Sequence, residues 1–216
     1  MEVVEVAVEI EVFADVWCPF AYVGLRRLFE LRGAAGRSDV AIRVRAWPLE
    51  LVNGEPMPAA KAAASAAALR AQVVPSLFAD VDEDSFPTTT LPALALVESA
   101  YAQSGAKGEA ASLRLRELLF EEGRDISSAE VLSELAGALG IEPAPGAETA
   151  VLESLAEGRR RGVLGSPHFF CGELESFCPS LEISRDADGL VLVADAAKLT
   201  AFVERCLSEG QLSDAG

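Results

Sequence analysis

The chain has 216 residues, 50% of them hydrophobic, with 34 acidic against 18 basic side chains and a formal charge of -16. That length and apolar content allow one large domain or two small ones with a buried core, and exclude a disordered tail, a collagen-like repeat and a linker. Phosphate backbones and anionic membranes are met by clusters of Lys and Arg, so the charge argues against the nucleic-acid and membrane-surface classes.

In chain order, residues 1–13 carry no basic start and acids break their apolar run, so they read as neither a signal peptide nor a membrane span. Val8–Ala14 alternates apolar and acidic residues before ending in an apolar run, which predicts a strand. From Tyr22 the apolar residues recur at helical spacing through Leu25, Leu28 and Phe29, with Gly33 and Gly36 as the stop. Val40–Trp47 alternates again, with Arg43 and Arg45 on its other face and Pro48 closing it. Strand, helix, strand predicts a βαβ unit with a parallel pair. After a Gly/Pro-bearing loop at 53–58, residues 59–72, 91–104, 109–121 and 128–139 read as helices, broken by Pro75, by 80–87 and by Gly105–Gly108. Residues 147–161 read as a helix and Ser166–Cys171 as a short aromatic strand. Leu181–Ser184 and Leu190–Ala194 flank a hairpin turn, and Ala196–Leu207 closes as an amphipathic helix with Leu199, Phe202, Val203 and Cys206 on its apolar stripe. The layout predicts an α/β domain built from residues 1–52 and 147–216, with an all-helical domain, 53–146, inserted into it.

A single histidine, His168, excludes a two-His metal site. The four cysteines, Cys18, Cys171, Cys178 and Cys206, contain no CxxC pair, so no metal site is expected. They are too few for a disulfide scaffold, which points to a reducing cytoplasm.

Cys18 falls where the first strand gives way to the first helix, with Pro19 in the opening turn. A thiol there faces free backbone N–H groups and the positive end of the helix dipole, which predicts a lowered pKa and a populated thiolate. The plain alternative is a buried cysteine acting as a small hydrophobe. Asp15 reads as a cap for the same helix, in preference to a carboxylate that would raise the thiol pKa. Trp17 and Phe20 flank the thiol and either form an apolar wall for an aromatic substrate or simply pack. Ser166-Pro167, after Gly162-Val163-Leu164-Gly165, is either an ordinary helix-ending turn or a cis corner that offers its backbone to an extended partner. His168 follows it and either pairs with the thiolate or a substrate anion, or faces away by strand alternation. The run Arg159–Arg161 complements a helix dipole or takes the carboxylate of a thiol cofactor. Cys171 lies four residues past Pro167, about 13 Å along an extended strand. Cys178 returns toward Pro167 if the chain reverses at Gly172, which makes it the better resolving residue for Cys18, unless both pack. Cys206 reads as core.

The segment Phe13-Ala14-Asp15-Val16-Trp17-Cys18-Pro19-Phe20-Ala21-Tyr22-Val23-Gly24-Leu25-Arg26-Arg27-Leu28 closely resembles the active-site segment of the DsbA-like thioredoxin-fold proteins, in particular their FrnE-like branch. Leu118–Ile126 resembles that branch's F-x-E-G-x-D-I signature, and Gly162–Phe169 its cis-proline segment. The resemblance implies a thioredoxin-like fold with an inserted helical domain, and Cys18 as the catalytic thiol. Trp17, Pro19, Phe20, Ser166 and Pro167 would then surround the substrate or thiol. The departure is Ala21, where the family has its second cysteine. A dithiol enzyme releases its mixed disulfide by attack from that second sulfur. Three mechanisms remain open: resolution by a small thiol such as glutathione; resolution by another cysteine of this chain, Cys178 or Cys171, with His168 as accessory; or activation of a bound glutathione thiol without attack by Cys18. The last is what relation to the kappa-class glutathione transferases and 2-hydroxychromene-2-carboxylate isomerases implies. No tightly bound cofactor is expected, and the partners implied are a small-molecule thiol, an aromatic or polyketide-type substrate, or protein thiols, on a monomer or homodimer. A non-catalytic protein binding a hydrophobic ligand in the same cleft is the alternative outside the enzyme class.

Overall fold

A computed structural model describes residues 8–187 and 189–213, with side chains described through residue 208. Residues 1–7 of the expected N-terminal run lie outside the described residues. Strand β1 (Val8–Ala14) runs parallel to β2 (Val40–Ala46) in register from Val8↔Val40 to Ala14↔Ala46, and α1 (Pro19–Ala34) makes the crossover. Strand β3 (His168–Cys171) pairs antiparallel with β1, and β4 (Leu174–Phe177) pairs antiparallel with β3. The mixed sheet therefore has the order β2-β1-β3-β4.

The two-residue period of β1 explains both faces of the sheet. Val8, Ile10 and Val12 pack with Val40, Ile42 and Val44, with Leu25 and Leu28 of α1, and with Leu199, Phe202 and Cys206 of the closing helix α8 (Ala196–Ser213). Phe13 points the other way, into a cluster with Trp47, Phe170 and Leu155 of a further helix, Ala147–Arg160.

Between these elements the chain is helical: α2 (Leu49–Asn53), α3 (Ala59–Gln72), α4 (Leu91–Gln103), α5 (Gly105–Phe120), α6 (Ala129–Leu139) and α7 (Ala147–Arg160). The break expected over Gly105–Gly108 is shorter and lies at Ser104, between α4 and α5; α5 starts at Gly105 and runs through Gly108. Ser104 caps it, its side chain accepting from the Lys107 N–H at 3.2 Å. Gly108 is needed for packing: a Cβ there would stand 2.2 Å from the Tyr101 ring. That ring is fixed because its hydroxyl accepts from the Val44 N–H (2.9 Å) and donates to the Ile42 carbonyl (3.0 Å). Glu109 accepts from the Ile42 N–H at 3.1 Å. The α4–α5 pair thus satisfies and covers the free edge of β2, where unpaired backbone would invite other chains.

The polar face of β2 is neutralised by neighbours. Arg43 pairs with Glu98 of α4 at 2.5 Å, and Arg45 with Glu11 of β1 at 2.5 Å. Strands β5 (Leu181–Asp186) and β6 (Gly189–Ala194) form a separate hairpin. The Gln72 side chain of α3 holds β6, donating to the Leu190 carbonyl and accepting from the Leu192 N–H, both at 2.9 Å. The β3 strand starts at His168 and not at Ser166, while α2 and β4 were not expected at all; elements of four or five residues are too short to show a period. No helix among the described residues is long and apolar enough to cross a membrane.

Candidate active site

Cys18 is the residue that opens α1, with extended φ/ψ and Pro19 behind it. The parallel β1–α1 turn delivers it to the loop that precedes β3. Its thiol donates to the Ser166 carbonyl at 3.1 Å, and the Ser166–Pro167 peptide bond is cis. Ser166 holds the turn twice, because its hydroxyl also accepts from the Asp15 N–H at 3.0 Å. Gly24, two turns along α1, faces the same corner: a Cβ on Gly24 would crowd Ser180 Oγ at 3.3 Å and make ordinary contact with Pro167 Cγ at 3.5 Å.

The expectation of a lowered thiol pKa is corrected. Cys18 is only 3% exposed, and burial pushes its thiol above the ordinary value. The Ser166 side chain and the Ala21 and Phe20 amides of α1 work in the lowering direction, and the nearby Asp15 carboxylate adds to the rise. Desolvation outweighs the helix amides, so the resting group is a thiol.

Asp15 does not cap α1; no side chain does. It is fully buried, with Oδ2 accepting from the Leu49 N–H at 2.6 Å and Oδ1 without a partner. Burial raises its pKa from 3.8 to about 6, against the Leu49 hydrogen bond that lowers it. Beneath it lies Arg116 of α5, also fully buried. Arg116 donates to the Asp15 carbonyl (2.9 Å) and to the carbonyl and hydroxyl of Ser112 (2.7 Å each). Burial brings its pKa down to about 10, so it keeps its charge at neutral pH. Sequence reading missed Arg116. The signal was a cation in line with Gly108 and Ser112, on the stripe of α5 that has no large side chains.

The other expected residues separate. Phe20 is half-buried beside Cys18. Trp17 is not a substrate wall: it is fully buried and stacks on Phe86 at 6.2 Å, inside the helical core. His168 faces away from Cys18, between Phe170 (4.5 Å) and Phe177 (5.8 Å). Its Nδ1 accepts from the Leu164 N–H at 3.2 Å, and burial lowers its pKa, so it is a neutral brace for the 162–167 loop. Arg161 is engaged by Glu11 and lies over the Phe170 ring at 4.1 Å, which leaves it no place in an anion site. Cys206 and Cys171 pack in the cluster between the sheet and α8. Cys178 does come back to the proline: its N–H donates to the Pro167 carbonyl at 3.0 Å. An open groove of about 830 Å³ between α4, α6 and the start of α7, lined by Leu96, Leu132 and Ile141, shares no residue with this turn.

The model of the DSBA-like thioredoxin domain family matches residues 9–196. A probable DsbA oxidoreductase from Streptomyces coelicolor is similar in structure (TM-score 0.62, 20% identity, covering 93% of this chain and 89% of that one). So is the cytosolic disulfide reductase DsbM from Pseudomonas aeruginosa with GSH (0.58, 19%, 93% and 99%). A 2-hydroxychromene-2-carboxylate isomerase is also similar (0.57, 15%, 96% and 99%). Identities this low speak to fold alone. No curated protein matches.

Proposed function

The chain belongs to the DSBA-like thioredoxin domain family, and on that premise we propose that it is a thiol–disulfide oxidoreductase working through the single motif cysteine, Cys18, with a small-molecule thiol completing the cycle. The observation that carries this reading is the placement of Cys18: a free thiol at the α1 N-terminus, 3.1 Å from the carbonyl that precedes Pro167. In the first step the Cys18 sulfur attacks one sulfur of a disulfide R–S–S–R; a Cys18–S–S–R bond forms and R–S⁻ leaves, taking up the proton released from Cys18. In the second step a small thiolate R′–S⁻ attacks the R sulfur of the mixed disulfide; an R–S–S–R′ bond forms, the bond to Cys18 breaks, and Cys18 leaves as a thiolate and takes up a proton. Ala21 offers no sulfur for that step, so the attacking sulfur comes from outside the motif. The amides of Phe20 and Ala21 stabilise the thiolate once an arriving partner displaces the Ser166 carbonyl from the thiol proton. A reducing compartment suits this chemistry, because both steps need Cys18 returned as a thiol.

A second reading has its own observation. Cys18 rests as a protonated donor, so it can donate to a bound thiolate substrate in place of attacking. Glutathione-dependent reduction of a small disulfide such as hydroxyethyl disulfide separates the two. The oxidoreductase reading expects turnover that Cys18→Ser abolishes. Saturable glutathione binding with chemistry retained in Cys18→Ser would replace it with the thiol-positioning reading.

A further inference from the structure

We infer that Cys178 is the resolving thiol of this protein, placed across the proline corner in place of the absent motif cysteine. The inference rests on the mixed-disulfide reading of Cys18. Two hydrogen bonds place the pair: Cys18 Sγ donates to the Ser166 carbonyl at 3.1 Å, and the Cys178 N–H donates to the Pro167 carbonyl at 3.0 Å. Those carbonyls belong to consecutive residues, so the Cys18 thiol and the Cys178 backbone sit against one dipeptide, and the two thiols are near enough for Cys18 to act electrostatically on Cys178.

The segment carrying Cys178 is held in that position. Register fixes Phe177 opposite His168, so the next residue must return to Pro167. Arg27 of α1 donates to the Ser180 carbonyl at 2.7 Å, and the Asp195 N–H donates to it at 2.9 Å. Cys178 itself has φ +44°, a left-handed conformation that disfavours any side chain other than that of glycine or asparagine. A cysteine in this strained conformation, next to a reactive turn, fits a functional sulfur better than a filler. Both thiols are free and buried.

Burial suits a resolver, because its only step is intramolecular and needs no solvent access. It also pushes the Cys178 thiol up to about 12, with the neighbouring Cys18 adding to the rise. Only about one molecule in 10⁵ then carries the anion at pH 7. Groups held in near-attack geometry reach effective molarities of roughly 10⁵–10⁸ M, the range an intramolecular attack needs to offset that loss.

The step balances with a low-molecular-weight disulfide as oxidant. Glutathione disulfide first gives Cys18–S–S–glutathione and one glutathione. The Cys178 thiolate then attacks the Cys18 sulfur; the Cys18–Cys178 bond forms, the bond to glutathione breaks, and glutathione leaves with the proton Cys178 lost. Two protein thiols are oxidised and one glutathione disulfide is reduced to two glutathiones.

The test is intact mass after incubation of the full chain with glutathione disulfide, for wild type and Cys178→Ser. Wild type is expected to end two hydrogens lighter with no adduct, while Cys178→Ser keeps one glutathione on Cys18, lasting on the order of tenfold longer or more. A lasting glutathione on wild-type Cys18 overturns the inference and leaves the mixed-disulfide reading intact. No reaction at Cys18 in either protein overturns both. If Cys178→Ser does not fold, a non-reducing peptide map of oxidised wild type, cut at Glu173 and Glu175, decides: a Cys18–Cys178 link is expected, and any other pairing or none overturns the inference.

Discussion

Replacing Asp15 by asparagine tests the electrostatics under Cys18 most sharply. Asp15 is fully buried, and its pKa rises from 3.8 to about 6 on folding. The folded state therefore binds the proton more tightly than the unfolded one. This favours folding fully below pH 3.8, and the advantage is lost as pH rises through 6. The shift of about 2.2 units corresponds to about 3 kcal/mol at 1.36 kcal/mol per unit. Asparagine keeps an acceptor for the Leu49 N–H and does not titrate. Arg116 titrates near 10, outside the window. Urea unfolding at a series of pH values from 3.5 to 7.5, read as wild type minus Asp15→Asn, cancels the other carboxylates. Wild type should lose about 3 kcal/mol relative to the variant across this range. A difference that stays flat with pH would refute the reasoning, because Asp15 would then titrate as it does in the unfolded chain.

The same carboxylate raises the Cys18 pKa, so Asp15→Asn should move the pH midpoint of Cys18 alkylation downward; an unchanged midpoint would show that the charge does not reach the sulfur. In wild type that midpoint should lie above the one for the urea-unfolded chain, since burial disfavours the thiolate; a lower native midpoint would mean that the α1 amides win after all. Gly108→Ala should destabilise by up to about 2 kcal/mol: overpacking against Tyr101 costs about 1–3 kcal/mol, and removing a helical glycine returns about 1 kcal/mol. Equal or higher stability by urea titration would show that the Tyr101 ring moves freely and does not seal the β2 edge.

The sequence made the frame legible wherever elements were long. The alternation in β1 and β2 gave strands and a parallel pair, and the Asp186–Gly189 turn gave the β5–β6 hairpin. The break between α4 and α5 is present but lies at Ser104, one residue before the glycines that were read as the stop. Those glycines serve a contact with Tyr101, a residue on another helix, and local propensity cannot show a tertiary demand. At the site, the order strand, Cys18, Pro19, helix was enough to place the thiol, and the reversal at Gly172 was enough to bring Cys178 back to Pro167. The pKa direction was not legible. A helix N-terminus is visible in sequence, but the desolvation that overrides it comes from packing that includes Phe169, Ala21 and Leu25, which are distant or unremarkable in the chain. Asp15 was misread for the same reason: its partners, Leu49 and Arg116, come from segments 34 and 101 residues away.

The most direct measurement is peptide-resolved mass spectrometry of the wild-type chain exposed at neutral pH to the disulfides of several small thiols, glutathione among them. The account expects the first bond at Cys18, seen either as a thiol adduct or as an internal disulfide that includes it, and no modification in Cys18→Ala. First modification at Cys171, Cys178 or Cys206 with Cys18 left untouched would contradict it.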